Sequence, residues 1–273
     1  MKELATRALS GAIYVLLLIG SLFMQETSFV LIGILGFISL AEFSKLIKLK
    51  SSIQYLIFLI IYVGVWFFCY KSNHSTSSKA AIQIILVITI FVNLILIKDL
   101  FTTKKIPLFQ TKRYIVTTFY LTSGFLFMFL VANFNNEFTP LLLLGGFILV
   151  WVNDSAAYIV GKNFGKQKLF PSISPKKTVE GFLGGLFFAC ISSYFIALLT
   201  KTLNFNYWLI LAIIVSVLGT LGDLIESKFK RQAGVKDSGV IMPGHGGLLD
   251  RLDSIIFASP FIYLFLRITT HVS

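Results

Sequence analysis

Charge is scarce in this 273-residue chain: 13% of its residues are Asp, Glu, Lys or Arg, against about 25% in ordinary soluble domains. A surface that poor in charge cannot be solvated all round, which excludes a water-soluble globule. Cysteine is nearly absent. Cys69 and Cys190 stand far apart, each within an apolar run. That spacing excludes a disulfide framework, a zinc cluster and a redox pair, and leaves two small buried hydrophobes. Acid is scarcer than base, 12 residues against 24, for a net charge of +12. Internal repeats and low-complexity segments are missing too.

What the chain has in excess is apolar sequence, 56% of its residues. Runs near the roughly 20 residues that cross a bilayer as helix recur from end to end. They are Ala8–Met24, Phe29–Phe43, Ile53–Tyr70, Ala80–Ile97, Tyr114–Val131, Pro140–Val160, Val179–Leu199, Tyr207–Ile225 and Leu252–Ile268. The runs are continuous, not alternating, so they read as helices and not as barrel strands. The fold class expected is an all-α polytopic transmembrane bundle of about nine spans. Lys2 and Arg7 before the first run look like the start of a signal peptide, but no small-x-small cleavage pattern follows. The run is expected to stay as the first span.

With the N-terminus cytoplasmic, twenty of the 24 Lys and Arg residues fall on the cytoplasmic side and four outside. This is the positive-inside pattern. It places the C-terminus outside and gives the basic loops a membrane-lipid role and not a nucleic-acid one. An integral protein of the cytoplasmic (inner) membrane is expected, its active site facing the cytoplasm. Residues 1–139 read as a scaffold of five spans. Residues 140–273 read as the catalytic region, four spans with two polar cytoplasmic loops, the two regions forming one integrated membrane domain: seven of the twelve acids lie between Asp154 and Asp253.

The first polar stretch runs from Trp151 to Gly185. Asp154 falls near the cytoplasmic end of the sixth span with Tyr158 one turn on, and Gly161 and Gly165 are expected to break that helix. Ser174 then caps a new helix with Pro175 at its first position. Lys176, Lys177 and Thr178 stand in that first turn beside free N–H groups, a setting that suits phosphate. Glu180 is expected to pair with a lysine or to face a cavity. The second stretch, Leu218–Ser254, holds Asp223 and Glu226 three residues apart at the end of one span. Asp250 and Asp253 have the same spacing at the start of the next. Antiparallel neighbours bring the two pairs to one depth, where four carboxylates repel unless a cation lies among them. Oxygen ligands with phosphates nearby suit Mg2+. Lys228, Lys230, Arg231, Lys236 and Arg251 are candidate phosphate ligands, and Gly244, Gly246 and Gly247 permit close backbone approach around His245. The charges alone are equally consistent with a solvated salt-bridge network. The glycines and the histidine favour a metal-assisted reaction on a polyphosphate at the cytoplasmic face.

The second stretch resembles the signature of the phosphatidate cytidylyltransferases (CDP-diacylglycerol synthases). The similarity is nearly continuous through Ser227-Lys-Phe-Lys-Arg231, Lys236-Asp-Ser-Gly239 and Pro243-Gly-His-Gly-Gly-Leu-Leu-Asp-Arg-Leu-Asp-Ser254. It extends to Gly222-Asp223, to Asn153-Asp154 with Ala157, Tyr158, Gly161 and Gly165, and to Ile173-Ser-Pro-Lys-Lys-Thr-Val-Glu-Gly181. The first five spans match in hydropathy alone. The resemblance implies CTP and phosphatidic acid as substrates, CDP-diacylglycerol and pyrophosphate as products, Mg2+ as cofactor with K+ as a second cation, and a homodimer. By the matched positions it makes Asp223 and Asp250 the foremost metal ligands, ahead of Asp253, Glu226 and Asp154. The catalytic set implied is Asp223, Asp250, Lys230, Arg231, Lys236, His245 and Arg251. Substrate is assigned to Lys176, Lys177, Thr178, Ser227, Lys228, Gly244, Gly246 and Gly247. A polyprenol or phytol kinase, or a synthase acting on an ether lipid, would carry similar head-group chemistry. A transporter would place acids near the middle of several spans, often in repeated halves.

Overall fold

The computed structural model describes residues 2–67, 76–102, 106, 112–242 and 246–272. Each apolar run becomes a helix, because a backbone surrounded by hydrocarbon must satisfy its own N–H and C=O groups. The helices are α1 (Lys2–Ser21), α2 (Gln25–Leu46), α3 (Ile53–Trp66), α4 (Thr76–Leu100), α5 (Arg113–Ala132), α6 (Pro140–Phe164), α7 (Val179–Thr200), α8 (Phe205–Ala233) and α9 (Leu249–Val272). Within α5, Thr117–Thr122 is wound as a π-helix. Seven of the described helices, α2 and α4 to α9, are long and apolar enough to cross a membrane. The apolar part of α1, Leu9–Ser21, and α3 are shorter. The third run was expected to reach Tyr70, and residues 68–75 lie outside the described part.

Two expectations for the first polar stretch are corrected. Gly161 does not break α6, which runs on to Phe164 with Gly165 as its C-cap. Gly161 is a contact point: a Cβ there would lie 2.9 Å from Thr178 Oγ1. Nor does a helix begin at Pro175. Ser174–Thr178 forms β2, antiparallel to β1 (Lys168–Phe170), with Lys168 opposite Thr178 and Phe170 opposite Ser174. Proline's missing donor is tolerated in so small a ribbon. Thr178 is the residue that caps α7, its Oγ1 accepting from Gly181 N at 3.1 Å. Val179 N donates back to Gln167 O at 2.9 Å. Glu180 pairs with no lysine side chain among the described residues; it accepts the backbone N–H groups of Lys166 (2.9 Å) and Gln167 (3.1 Å). The ribbon is thereby tied to the first turn of α7.

The second half packs through small residues, which let helix backbones approach closely where lipid gives no hydrophobic drive. A Cβ at Gly181 would lie 2.7 Å from Ala157 O, and one at Gly185 2.7 Å from Asn153 O, so α6 and α7 touch backbone to backbone. At Gly222 a Cβ would lie 2.5 Å from Phe257 Cβ, joining α8 to α9. At Gly124 it would lie 2.6 Å from Ile256 Cγ2, joining α5 to α9, and Ser259 Oγ donates to Gly124 O there at 2.7 Å. Fully buried Phe43, Tyr120 and Phe229 stack edge to face or tilted, with centroids 5.5 to 5.7 Å apart, and knit α2, α5 and α8 together. Large apolar side chains such as Leu16, Phe23, Val87 and Leu199 cover the outer faces.

Candidate active site

Helical periodicity sorts the charges of α8. Asp223, Glu226, Ser227 and Lys230 are spaced at i, i+3, i+4 and i+7, so they share a face. Ser227 Oγ donates to Asp223 Oδ1 at 3.2 Å. Lys230 Nζ is paired with Glu226 and donates to Asp250 Oδ1 at 2.7 Å. All three are buried, Glu226 completely. Lys228, two residues from Lys230, must point elsewhere. Its Nζ donates to Asp99 O (2.6 Å) and Thr102 O (2.7 Å), at and just beyond the end of α4. There it meets carbonyls that no further turn of helix can satisfy. The lysine expected on a phosphate thus holds α4 to α8.

A second wall comes from the ribbon and from α6. Lys177 of β2 forms an ion pair with Asp223 Oδ2, both side chains a little under one-third exposed (28% and 29%). Burial by itself would lower the pKa of this lysine. The Asp223 carboxylate outweighs it and holds the ammonium above its ordinary 10.5. Asp154 on α6 and Asp253 on α9 lie within electrostatic reach of both Asp223 and Lys177. Asp154 is exposed and accepts from Asn153 Nδ2 at 3.2 Å. Asp253 is buried, its Oδ1 accepting from Ser254 N at 2.7 Å. Four elements thus bring one cation and three acids within electrostatic reach of one another. Asp154 sits ten residues before the end of α6, about 15 Å along the helix.

Asp250 faces the other side of Lys230. Besides that ammonium it accepts Ser238 N at 3.0 Å and Gly247 N at 2.8 Å, both on Oδ2. It therefore braces the segment entering α9. Gly246 has φ +90°, the left-handed region that glycine adopts without strain. Its carbonyl accepts from Met242 N at 2.9 Å. A residue passed over in the sequence completes this brace. Glu42 of α2, 3% exposed, accepts Leu248 N at 3.1 Å, Leu249 N at 2.8 Å and Ser238 Oγ at 3.4 Å. Gly247 packs against Ser238 and against Glu42. The sequence did hold a signal: a lone acid at the end of an apolar run is expensive unless it has partners.

The remaining candidates spread over the surface around this centre. Arg231 is exposed, its Nε donating to Ile173 O (3.3 Å) and its Nη1 to Val235 O (3.1 Å). Lys176, Lys236 and Arg251 are exposed. Thr178 is occupied as the α7 cap. Gly244 and His245 fall outside the described residues. Among the described residues no group of three or more His, Cys, Asp or Glu side chains is arranged so that it could hold a metal ion. The arrangement offers anchored carboxylate oxygens beside lysine and arginine, a chemistry suited to a polyphosphate bound with an oxygen-seeking cation.

The model of the cytidylyltransferase family matches residues 5–269. A phosphatidate cytidylyltransferase of Bacillus subtilis is 33% identical over 276 aligned residues, covering 98% of this chain and 99% of that protein. A phosphatidate cytidylyltransferase of Staphylococcus aureus is 45% identical over 153 residues, 54% of this chain and 55% of that protein. One of Staphylococcus haemolyticus is 46% identical over 149 residues, covering the same shares.

Proposed function

The chain belongs to the cytidylyltransferase family, and on that premise we propose that it transfers the cytidylyl group of CTP to phosphatidic acid, giving CDP-diacylglycerol and pyrophosphate for phospholipid synthesis. The observation that carries this reading is the Lys177–Asp223 ion pair, which joins β2 to α8 with Asp154 and Asp253 within electrostatic reach. It occurs in a chain that aligns over nearly its whole length with a phosphatidate cytidylyltransferase.

The lipid phosphate is anionic at neutral pH, so it needs no strong base to attack. Its oxygen bonds to the α-phosphorus of CTP as the bond to the β-phosphate bridge breaks, and pyrophosphate carries the electron pair away. The obstacle is mutual repulsion of the two anions, which positioned cations remove. Lys177 and Lys176 are assigned to phosphate from the ribbon side. Arg231 at the end of α8, Lys236 and His245 of the segment between α8 and α9, and Arg251 in the first turn of α9 are assigned to it from the other side. Lys230 keeps the buried acids in register. Asp223, with Asp253 and Asp154 in electrostatic reach, would offer Mg2+ hard carboxylate oxygens, and phosphate oxygens and water would have to supply the rest. Bound there, the ion neutralises phosphate charge and stabilises the in-line transition state. Asp250 and Glu226 suit it less, since both are already paired with Lys230.

The acyl chains stay in the bilayer, since drawing them into water costs about 0.8 kcal/mol per CH2. Nine crossings, with the N-terminus and this site on the cytoplasmic side of the inner membrane and the C-terminus outside, fit the distribution of Lys and Arg. The test uses purified protein with phosphatidic acid, Mg2+ and CTP, ATP, GTP or UTP in turn. Pyrophosphate and a nucleotide-bearing lipid are expected with CTP and are lost in Asp223→Asn. Equal turnover with ATP, or full activity in Asp223→Asn, contradicts the assignment.

A further inference from the structure

We propose that Glu42 is a positioning residue for this reaction. From α2 it sets the conformation of residues 237–242 and 246–250, and through them the placement of Asp250, Arg251 and Asp253. The inference rests on the cytidylyl-transfer reading for the reaction it serves, and on geometry for the clamp itself. A helix begins with N–H groups that have no partner inside it, and a side chain next to the helix normally satisfies some of them. In α9, Gly247 N is satisfied locally by Asp250, but Leu248 N and Leu249 N are satisfied by a carboxylate 206 and 207 residues away in sequence.

Three further features converge on the same carboxylate. Ser238 bridges the two acids, giving its N–H to Asp250 and its hydroxyl to Glu42. A side chain at Gly239 would collide with Glu42, and a Cβ at Gly247 would lie 2.8 Å from Glu42 Oε2. These two glycines thus give the carboxylate room to reach the backbone. The first turn of α9, which carries Asp250, Arg251 and Asp253, is therefore gripped by Asp250 from within and by Glu42 from α2. Two of its donors already hold Glu42, so they are not open to a phosphate. Glu42 touches none of Lys177, Asp154 or Asp223, and acts through the segment it holds.

The test compares full-length wild type, Glu42→Gln, Glu42→Asp and Glu26→Gln in detergent. It measures melting, steady-state kinetics with CTP and phosphatidic acid, and amide hydrogen exchange across residues 237–250. Glu26 is exposed on the same helix and has been given no part in the site. In Glu42→Gln, kcat should fall on the order of 10- to 100-fold with KM for CTP within about threefold of wild type, the cost of small misplacement. Exchange at Leu248 and Leu249 should quicken while melting stays cooperative. Glu42→Asp should recover part of kcat, and Glu26→Gln should match wild type. A kcat per folded molecule equal to wild type in Glu42→Gln would make Glu42 a mere cap and overturn the proposal, as would unchanged exchange at Leu248 and Leu249. Absence of CTP turnover in wild type defeats the cytidylyl-transfer reading, and the positioning role with it, while the exchange data still decide whether the clamp exists.

Discussion

Replacing Lys230 with methionine removes the ammonium that stands between Glu226 and Asp250 while keeping most of the side-chain volume. The three side chains are 10%, 0% and 7% exposed, so water cannot take over the vacated role. Asp250 keeps the N–H groups of Ser238 and Gly247. Glu226 has no hydrogen bond beyond its ion pair among the described residues, so the loss concentrates there. Breaking a buried pair from one side costs about 3–5 kcal/mol. At roughly 2–4 °C per kcal/mol for a chain somewhat smaller than this, that is a fall of about 6–20 °C in the melting midpoint. The assay is thermal unfolding in detergent of wild type, Lys230→Met, Glu226→Gln and the double variant. The double variant should lose less than the two singles together, because neutralising Glu226 removes the charge that Lys230→Met strands. Exposed Lys236→Met is the control and should melt with wild type. A Lys230→Met midpoint within about 2 °C of wild type would refute the reasoning, since surface pairs contribute that little.

Gly124→Ala drives a methyl to 2.6 Å from Ile256 Cγ2 and should cost about 1–3 kcal/mol or more. Gly20→Ala meets nothing within 4 Å and should melt at or slightly above wild type. Lys177→Met should lower kcat/KM for CTP by about 10- to 1000-fold, as loss of a charge-stabilising group does. A steady-state assay showing less than a twofold change, about 0.4 kcal/mol by the same scale, contradicts that role. Because its pKa stands above 10.5, the Lys177–Asp223 pair is complete below 10.5 and is lost only as pH rises through the raised value. The melting difference between wild type and Lys177→Met should therefore hold constant from neutral pH up to 10.5. Tyr120→Phe removes a fully buried hydroxyl that has no hydrogen-bond partner among the described residues, so melting should be unchanged or higher.

The helices were legible because each apolar run has one way to satisfy its backbone in lipid. The face bearing Asp223, Glu226, Ser227 and Lys230 was legible from helical spacing. The same spacing sets Lys228 away from that face, since two residues turn a helix by about 200°. Its partners on α4 were beyond reach of the sequence, being backbone carbonyls more than a hundred positions away. Ser174-Pro175 satisfies the rules for a helix start as well as those for an edge strand. The choice was made by the pairing of Thr178 and Val179 with the β1 segment and by Glu180 reaching back to Lys166 and Gln167. Gly161 reads as a breaker in one dimension and becomes a helix contact once Gly181 packs against it. Glu42 shows the same limit: its cost in an apolar run is visible locally, and its partners on α9 are not.

The most direct measurement of the central claim follows where each phosphorus of the nucleotide goes. CTP labelled at the α- or at the γ-phosphorus is incubated with the purified protein, Mg2+ and phosphatidic acid, and lipid and aqueous products are separated. Cytidylyl transfer predicts α-label in the lipid as CDP-diacylglycerol and γ-label in pyrophosphate. Label from the γ-phosphorus in the lipid, with CDP released, would contradict the account and make the protein a lipid kinase.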